Sequence, residues 1–484
     1  MHITPLKKQF NFLKLSFIMY IEQLYTSCLS EAAYFIESDG EVAIIDPLRD
    51  TDKYIAMAEE RNAKIKYIFE THFHADFVSG HIDLAKKTGA TIIYGPNATT
   101  AFEKYTATDN EDFILGKLTM KALHTPGHTM ESTCYLLMDE DKKPSALFTG
   151  DTLFVGDVGR PDLFSGNLTK EELAAYLYDS LNKLKQLPDY VKVYPAHGPG
   201  SSCGKNLGPN THSTIGEEKQ SNYAMQEQSK DDFINAVTQG LHTPPVYFAI
   251  NASINQKGYT SLDELKTEGL KPLSISAFKK EVNEGAIILD TRSAKLFTEG
   301  FIPGSISIGL EGRFAEWAGA LLPFKANIIL VNDEGKEEET LVRLARVGFD
   351  KIHGYLKGGY ETWKNAGEEI DLIIDIEADE LKMDLNYDAK MVVVDVRKEL
   401  EFEAGHVKTA LNIPLHTLTD MSIISNFEES DNLYVHCAGG YRSVIAASLL
   451  KRQGYHNLRN VLGGYDQIKL VADMPLVASK DVLN

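Results

Sequence analysis

Several residues able to bind a metal stand at the ends of apolar, strand-like runs in the first half of the chain. Thr71-His72-Phe73-His74-Ala75-Asp76 follows directly on the β-rich run 63–69. His72 and His74 are two apart, so an extended strand puts them on one face, and the loop after it lets them converge on one ion. His128 in T-P-G-H-T, Asp151 in G-D and His197 in P-A-H-G each close a further run of this kind. Ligands from several strand ends of one sheet meet on one rim, and imidazole with carboxylate suits zinc, manganese or iron. A lone histidine is more often structural, and His81, His124, His212 and His242 are left in that class.

A second chemistry is written near the C-terminus. The run 432–436 leads into Cys437-Ala-Gly-Gly-Tyr-Arg-Ser443 and then the helical stretch 444–455. A strand–loop–helix turn of this form aims backbone N–H groups inward at a helix N-terminus, a setting that stabilises an anion and favours a thiolate. Gly439 and Gly440 permit the tight curvature. Such a thiolate can accept a sulfane sulfur and hold it as a persulfide. Cys437 is therefore the candidate nucleophile, and Arg442, which closes the C-x4-R loop, its candidate catalytic partner. Cysteine phosphatases use C-x5-R, which makes a phosphatase the weaker alternative. Cys203, a few residues past His197, is a candidate for sulfur relay or substrate contact, with an inert loop cysteine the equal alternative. Cys28 and Cys134 fall in β-like stretches and read as packing residues.

The elements that must position these groups are legible. Runs 63–69, 118–124, 145–151 and 191–197 read as strands. Between the last two, Thr169 and Glu172 form a capping box ahead of a helical pattern that Pro188 stops. An amphipathic segment follows at 230–241, and 251–266 reads as the way out of this domain. The second half repeats itself: 286–310 parallels 391–415, with Asp290 and Asp395 standing 105 positions apart, as do Gly359 and Gly464. One α/β unit present twice, with strands and helices alternating, predicts two parallel sheets flanked by helices. The position matching Cys437 at this offset is Asn332, and the segment 331–340 holds no cysteine but a run of acids, Glu337 to Glu339.

At 484 residues the chain has room for about three domains. Hydrophobic residues make up 43% and charged residues 24%, a globular composition. Lys plus Arg total 49 against 69 Asp plus Glu, a net charge of −20. That balance argues against generic binding to a nucleic-acid backbone, which needs Lys and Arg. Four cysteines without a C-x-x-C pair fit a reducing cytoplasm. The apolar runs are too short for a membrane span, the N-terminus lacks a signal-peptide pattern, and 1–18 read as an extension ahead of the fold.

On these motifs residues 19–260 resemble the metallo-β-lactamase superfamily in its glyoxalase II-like branch, which writes T-H-x-H-x-D-H. The sequence departs at the last position, Phe77. In the family's binuclear hydrolases that His and the preceding Asp hold the second metal, so the resemblance implies a weak or absent second site. It also implies kinship with the persulfide dioxygenases, which bind one Fe(II) through two His and one carboxylate. Carried over, these are His72, His128 and Asp151, one iron per chain. His74, Asp76 and His197 are candidates for further contact with the metal or its surroundings. Gly156-Asp-Val-Gly-Arg-Pro-Asp-Leu163 is similar to the stretch after that family's metal Asp, and Arg160 would hold either a substrate carboxylate or, by pairing with Asp162, its own loop.

Residues 376–480 resemble a rhodanese domain on D-x-R (Asp395–Arg397), the Cys437 loop and L-G-G-Y. Residues 272–373 resemble a catalytically dead copy. The expected fold is therefore an α/β multidomain chain, an αββα metallo-β-lactamase fold followed by two α/β rhodanese-like domains. Taken whole, the chain resembles the fused persulfide dioxygenase–sulfurtransferases. The implied partners are a low-molecular-weight persulfide, O2 and sulfite, with no nucleic acid or membrane, in a cytoplasmic homo-oligomer. A zinc-dependent thioester hydrolase of glyoxalase II type fused to rhodanese domains is the alternative, and a non-enzymatic sulfur relay a third reading.

Overall fold

The structure is a computed structural model that describes residues 19–163, 168–241, 243–425 and 427–478; the expected extension 1–18 and His242 lie outside the described residues. Two compact units emerge. One holds most of the N-terminal half; the other runs from Thr243 onward and includes the short segments Ser27–Leu29 and His74–Val78.

The first unit is a sandwich of two six-stranded sheets. In one, Tyr20–Thr26, Glu31–Ser38, Glu41–Ile45, Lys64–Phe69, Thr91–Tyr94 and Tyr105–Thr106 lie in that order. The other runs from Ser213–Thr214 through Lys192–Pro195, Pro144–Gly150, Thr133–Met138 and Leu118–His124 to Asp112–Leu115. Alternating residues of both sheets, among them Tyr34, Phe69, Met120, Tyr135 and Phe148, fill the space between them. The outer face of the first sheet is covered through Tyr54 and Leu84, from the helices Asp52–Glu60 and His81–Thr88. The outer face of the second packs on Leu177, Leu181 and Phe233, from Lys170–Leu184 and Lys230–Thr238. This is the αββα layering that the resemblance implies.

Local sequence accounts for these elements. The strand expected at 118–124 spans Leu118–His124, and that at 145–151 spans Pro144–Gly150. Thr169 Oγ1 accepts from Glu172 N at 3.1 Å and the Glu172 carboxylate accepts from Thr169 N at 2.8 Å, so both arms of the capping box form. The stretch 251–266 differs from its expected role as an exit. It carries most of the helix Phe248–Lys257 and the start of Leu262–Gly269. Its buried positions include the polar Asn251 and Asn255, so no apolar stripe betrays the first of these helices.

The second unit carries two five-stranded sheets, every pairing within them parallel. The first copy orders Pro272–Leu273, Ile352–Leu356, Ile328–Val331, Ile287–Asp290 and Ile306–Ser307. The second orders Ile374–Ile376, Leu458–Val461, Asn432–His436, Met391–Asp395 and Leu411–Asn412. The repeat's D-x-R is a buried fork. Arg397 holds Asp395 with Nη2–Oδ2 at 2.6 Å, bonds Gly405 O at 2.7 Å and lies 3.9 Å over the Tyr465 ring. Arg292 does the same with Asp290 at 2.6 Å, Gly300 O at 2.9 Å and Tyr360 at 4.2 Å. D-x-R is thus a frame element in both copies. No helix among the described residues is long and apolar enough to cross a membrane.

Breaking a buried pair strands the remaining charge, at a cost of about 3–5 kcal/mol. Arg397→Met should destabilise the second copy by that amount in urea denaturation. A loss below about 1 kcal/mol, within the range of an exposed pair, would mean the fork does not hold the frame.

Candidate functional site

Three of the expected ligands converge. The ligand atoms of His72, His128 and Asp151 all lie within 4.8 Å of one another, and all three side chains are buried. Asp151 Oδ2 stands 3.7 Å from His72 Nε2 and 3.4 Å from His128 Nε2, and Oδ1 stands 3.5 Å from His197 Nε2. Neither oxygen of this buried carboxylate has a hydrogen-bond partner. Such separations are long for hydrogen bonds. A metal with ligands at about 2.1 Å spaces neighbouring ligand atoms by about 3.0–3.4 Å, and the site approaches that spacing. The donor set fits a divalent ion of the zinc, manganese or iron kind.

The far side of each imidazole explains why the ε nitrogens face the carboxylate. His128 Nδ1 bonds Arg160 O at 2.9 Å and His197 Nδ1 bonds Ser30 O at 3.1 Å. A carbonyl accepts only from N–H, so Nδ1 carries the proton and Nε2 keeps its lone pair for a metal. His72 Nδ1 meets Thr71 Oγ1 at 2.9 Å. That hydroxyl's proton goes to Asp46 Oδ2 at 2.8 Å, while Thr71 N donates to Asp46 Oδ1 at 2.8 Å. Asp46 therefore fixes Thr71 as an acceptor for His72. Gly159 is needed for close approach: a Cβ there would come within 2.0 Å of Asp151 O and 2.9 Å of His128 Nδ1.

The remaining expected residues are placed as follows. His74 and Asp76 lie in the segment that packs with the second unit. Asn255 Nδ2 donates to His74 O and Phe77 O, both at 2.8 Å, and the His74 ring centroid is 4.3 Å from that of Phe77. Arg160 pairs with Asp162 through Nε–Oδ1 at 2.7 Å and Nη2–Oδ2 at 2.8 Å, the loop-holding arrangement. Cys203 is buried, its sulfur within 4.8 Å of a His197 ring nitrogen, and its carbonyl accepts from Arg160 N at 3.0 Å. Burial pushes the Cys134 thiol up to about 11, as suits a packing residue.

The sequence reading passed over Asp46 and Asp157. Asp157 Oδ2 accepts from Lys205 N at 2.7 Å and Asn206 N at 2.6 Å, which pins the loop carrying Cys203. Asp46 sits one residue past the strand Glu41–Ile45, the same strand-end placement that marked the histidines, and that signal was available.

In the second unit, Cys437 follows its strand and is buried. Gly440 N donates to its Sγ at 3.1 Å, and Gly440 takes φ +105° as the helix Tyr441–Arg452 begins. One backbone N–H, that of Gly440, faces the sulfur, where the sequence reading expects several. Beneath the loop, Tyr465 N and Asp466 N donate to Cys437 O and Ala438 O at 2.7 and 3.0 Å. A Cβ on Gly464 (φ +55°) would approach Cys437 O to 2.4 Å, which explains that repeat glycine. Arg442 is engaged bidentately by Glu401, both contacts 2.7 Å, and this pairing raises the guanidinium's pKa and lowers that of the carboxylate. Burial lowers the pKa of His436, so the neighbouring imidazole is neutral at neutral pH and adds no positive charge beside the sulfur.

The first copy shows the counterpart. Asn332 follows its strand Ile328–Val331, and its buried amide donates to Thr291 Oγ1 and Thr340 Oγ1, both at 2.7 Å. Glu337 to Glu339 occupy the first turn of the next helix, Glu337–Ala345.

Residues 27–197 match the metallo-beta-lactamase superfamily, and 274–366 and 377–470 each match the rhodanese-like domain. A crystal structure of a metallo-beta-lactamase from Staphylococcus aureus subsp. aureus COL is 35% identical with a TM-score of 0.64, over 70% of this chain and 99% of that one. The probable hydroxyacylglutathione hydrolase glo2 of Schizosaccharomyces pombe is 32% identical over 220 residues, 40% of this chain and 81% of the yeast protein. The chain belongs to the metallo-beta-lactamase superfamily. Another similar protein is the cytoplasmic hydroxyacylglutathione hydrolase of Arabidopsis thaliana, 35% identical over 36% of this chain and 66% of its own length. This superfamily member differs from both hydrolases in its length of chain beyond the matched region, where the two rhodanese-like domains lie.

Partners behind a metal-binding histidine are worth about 10–100-fold in metal affinity. Thr71→Val removes the acceptor behind His72, so metal affinity measured by chelator competition should fall by at least about tenfold. Unchanged affinity would show that Asp46 and Thr71 do not orient that ring.

Proposed function

We propose that the chain is a persulfide dioxygenase joined to a sulfurtransferase. In this reading a low-molecular-weight persulfide, O2 and water give thiol, sulfite and two protons. The observation that carries it is the ligand set: two imidazoles and one carboxylate, His72, His128 and Asp151, converge in a buried cluster. Phe77 stands where binuclear relatives supply a further histidine, and a phenyl ring has no donor for a second ion. Two histidines and one carboxylate with open positions suit non-haem iron. Iron(II) bound there would supply the O2 chemistry.

The chain's own groups set the stage for it. The carbonyls of Arg160 and Ser30 and the Asp46–Thr71 pair accept from the Nδ1 side of three imidazoles, which aims their ε nitrogens at Asp151. The buried surroundings keep bulk water from the cluster. Cys437 performs the second step. Carrying a sulfane sulfur as Cys437–S–S⁻, it is attacked by sulfite at the outer sulfur; the new S–S bond forms thiosulfate and the old one breaks to return the thiolate. Gly440 N–H faces the sulfur at which that negative charge resides. The first rhodanese-like copy takes no covalent part, because Asn332 stands in place of a nucleophile.

The second reading is a zinc-dependent thioester hydrolase, favoured by the hydroxyacylglutathione hydrolases among the relatives. A product analysis separates the steps. With persulfide and O2, Cys437→Ser should consume O2 at the parental rate but release sulfite where the parent releases thiosulfate. His128→Ala should lose O2 uptake and keep thiosulfate:cyanide sulfur transfer. Thiosulfate at the parental rate from Cys437→Ser would remove Cys437 from the scheme. Absence of O2 uptake in the parent, with thioester cleavage instead, would replace the dioxygenase with the hydrolase.

A further inference from the structure

The two rhodanese-like copies share one compact unit, and the copy without a nucleophile touches the active loop of the other. Tyr441 OH donates to Gly309 O at 2.8 Å, and Ser307 N donates to Ser448 Oγ at 3.0 Å. A cleft of about 260 Å³ lies between the copies, lined by Lys295, Thr298 and Glu311 on one side and Gly440, Tyr441 and Asn460 on the other.

A chain of hydrogen bonds runs along this cleft to the nucleophile. Thr298 Oγ1 of the first copy donates to Asp375 Oδ2 at 2.6 Å, shorter than its 3.0 Å contact with Lys295 O. Asn460 Nδ2 donates to Asp375 Oδ1 at 2.7 Å. A carboxylate only accepts, so the Asn460 amide must turn its NH2 toward Asp375 and its oxygen the other way. That oxygen accepts from Ser443 Oγ at 2.7 Å, and Ser443 Oγ lies 3.7 Å from Cys437 Sγ. Ser443 has one hydroxyl proton, and its other acceptor is Gly440 O at 3.0 Å. With that proton held by Asn460 or Gly440, the serine oxygen is left to accept from the Cys437 S–H, which opposes the thiolate that the Gly440 N–H favours.

We propose that Thr298 and Asp375 are positioning residues for Cys437: through Asn460 they fix which way Ser443 faces the sulfur. The degenerate copy thereby serves sulfur transfer at one hydrogen bond's remove from the second copy's own groups. This rests on the reading of Cys437 as a sulfur-transfer nucleophile. The chain explains why Thr298 is buried with its hydroxyl on a carboxylate, and it gives the first copy a role that needs no catalytic group of its own.

The test compares Thr298→Val, which loses the hydroxyl, with Thr298→Ser, which keeps it, in the full chain. Two readouts are taken: kcat and KM for thiosulfate:cyanide transfer, and the pH profile of Cys437 alkylation by iodoacetamide, followed by mass. Thr298→Val should lower kcat about fivefold, the scale of one hydrogen bond, with KM within about twofold. It should also displace the alkylation profile, and Thr298→Ser should restore both. Parental kcat or an unmoved profile in Thr298→Val overturns the proposal, as does an equal defect in Thr298→Ser, which would mark a packing effect. If the parent transfers no sulfur, the functional reading fails separately, and the alkylation profile alone still decides whether Thr298 acts on the sulfur.

Discussion

Asp151 is a carboxylate buried without a hydrogen-bond donor, and the N-terminal unit is arranged around that fact. A buried charge has to be paired or to bind a metal. Here it stands within 4 Å of three imidazoles whose Nδ1 sides are bonded elsewhere, to Arg160 O, Ser30 O and the Thr71–Asp46 pair. Three ε lone pairs and a carboxylate facing one another repel unless a cation lies among them. The strand ends, the glycine at 159 and the carbonyls behind each ring all serve to hold four electron-rich groups close together. Such an arrangement makes sense for a protein whose working state is metal-bound.

The tandem copies show how one frame carries two fates. Both keep the Asp–Arg fork, the glycine carbonyl it reaches and the tyrosine beneath it. Both also need their second repeat glycine, since a Cβ on Gly359 would meet Asn332 O at 2.7 Å much as one on Gly464 would meet Cys437 O. What differs is the residue after the central strand and the turn that follows. Asn332 fills its site with an amide bonded to two threonines, whereas Cys437 receives a backbone N–H. Divergence is confined to the loop, and the fold beneath it is retained.

Much of this was legible in the sequence. The β-rich apolar runs matched the strands within a residue or two, as at Leu118–His124, because a strand covered on both faces reads as a short, nearly continuous apolar run. Thr169 and Glu172 marked a helix start because their bonds are local. The His72, His128 and Asp151 cluster could be read because each ligand closely follows a strand. The one-sheet rim expected from the sequence is corrected: His72 follows Lys64–Phe69 of the first sheet, whereas His128 and Asp151 follow Leu118–His124 and Pro144–Gly150 of the second. Other features depend on contacts distant in sequence. Nothing near His128 tells that Arg160 O lies behind it, nor near Arg442 that Glu401 takes its guanidinium. The helix Phe248–Lys257 escaped notice because it buries two asparagines, one of which, Asn255, bonds to a segment some 180 residues away.

The central claim is that the buried cluster works with one metal and O2 rather than with two metals and water. Elemental analysis of the purified chain, paired with O2 uptake on a low-molecular-weight persulfide, tests it most directly. The account predicts about one iron per chain and O2 consumption that a chelator abolishes. About two zinc ions per chain, thioester hydrolysis and no O2 uptake would contradict it.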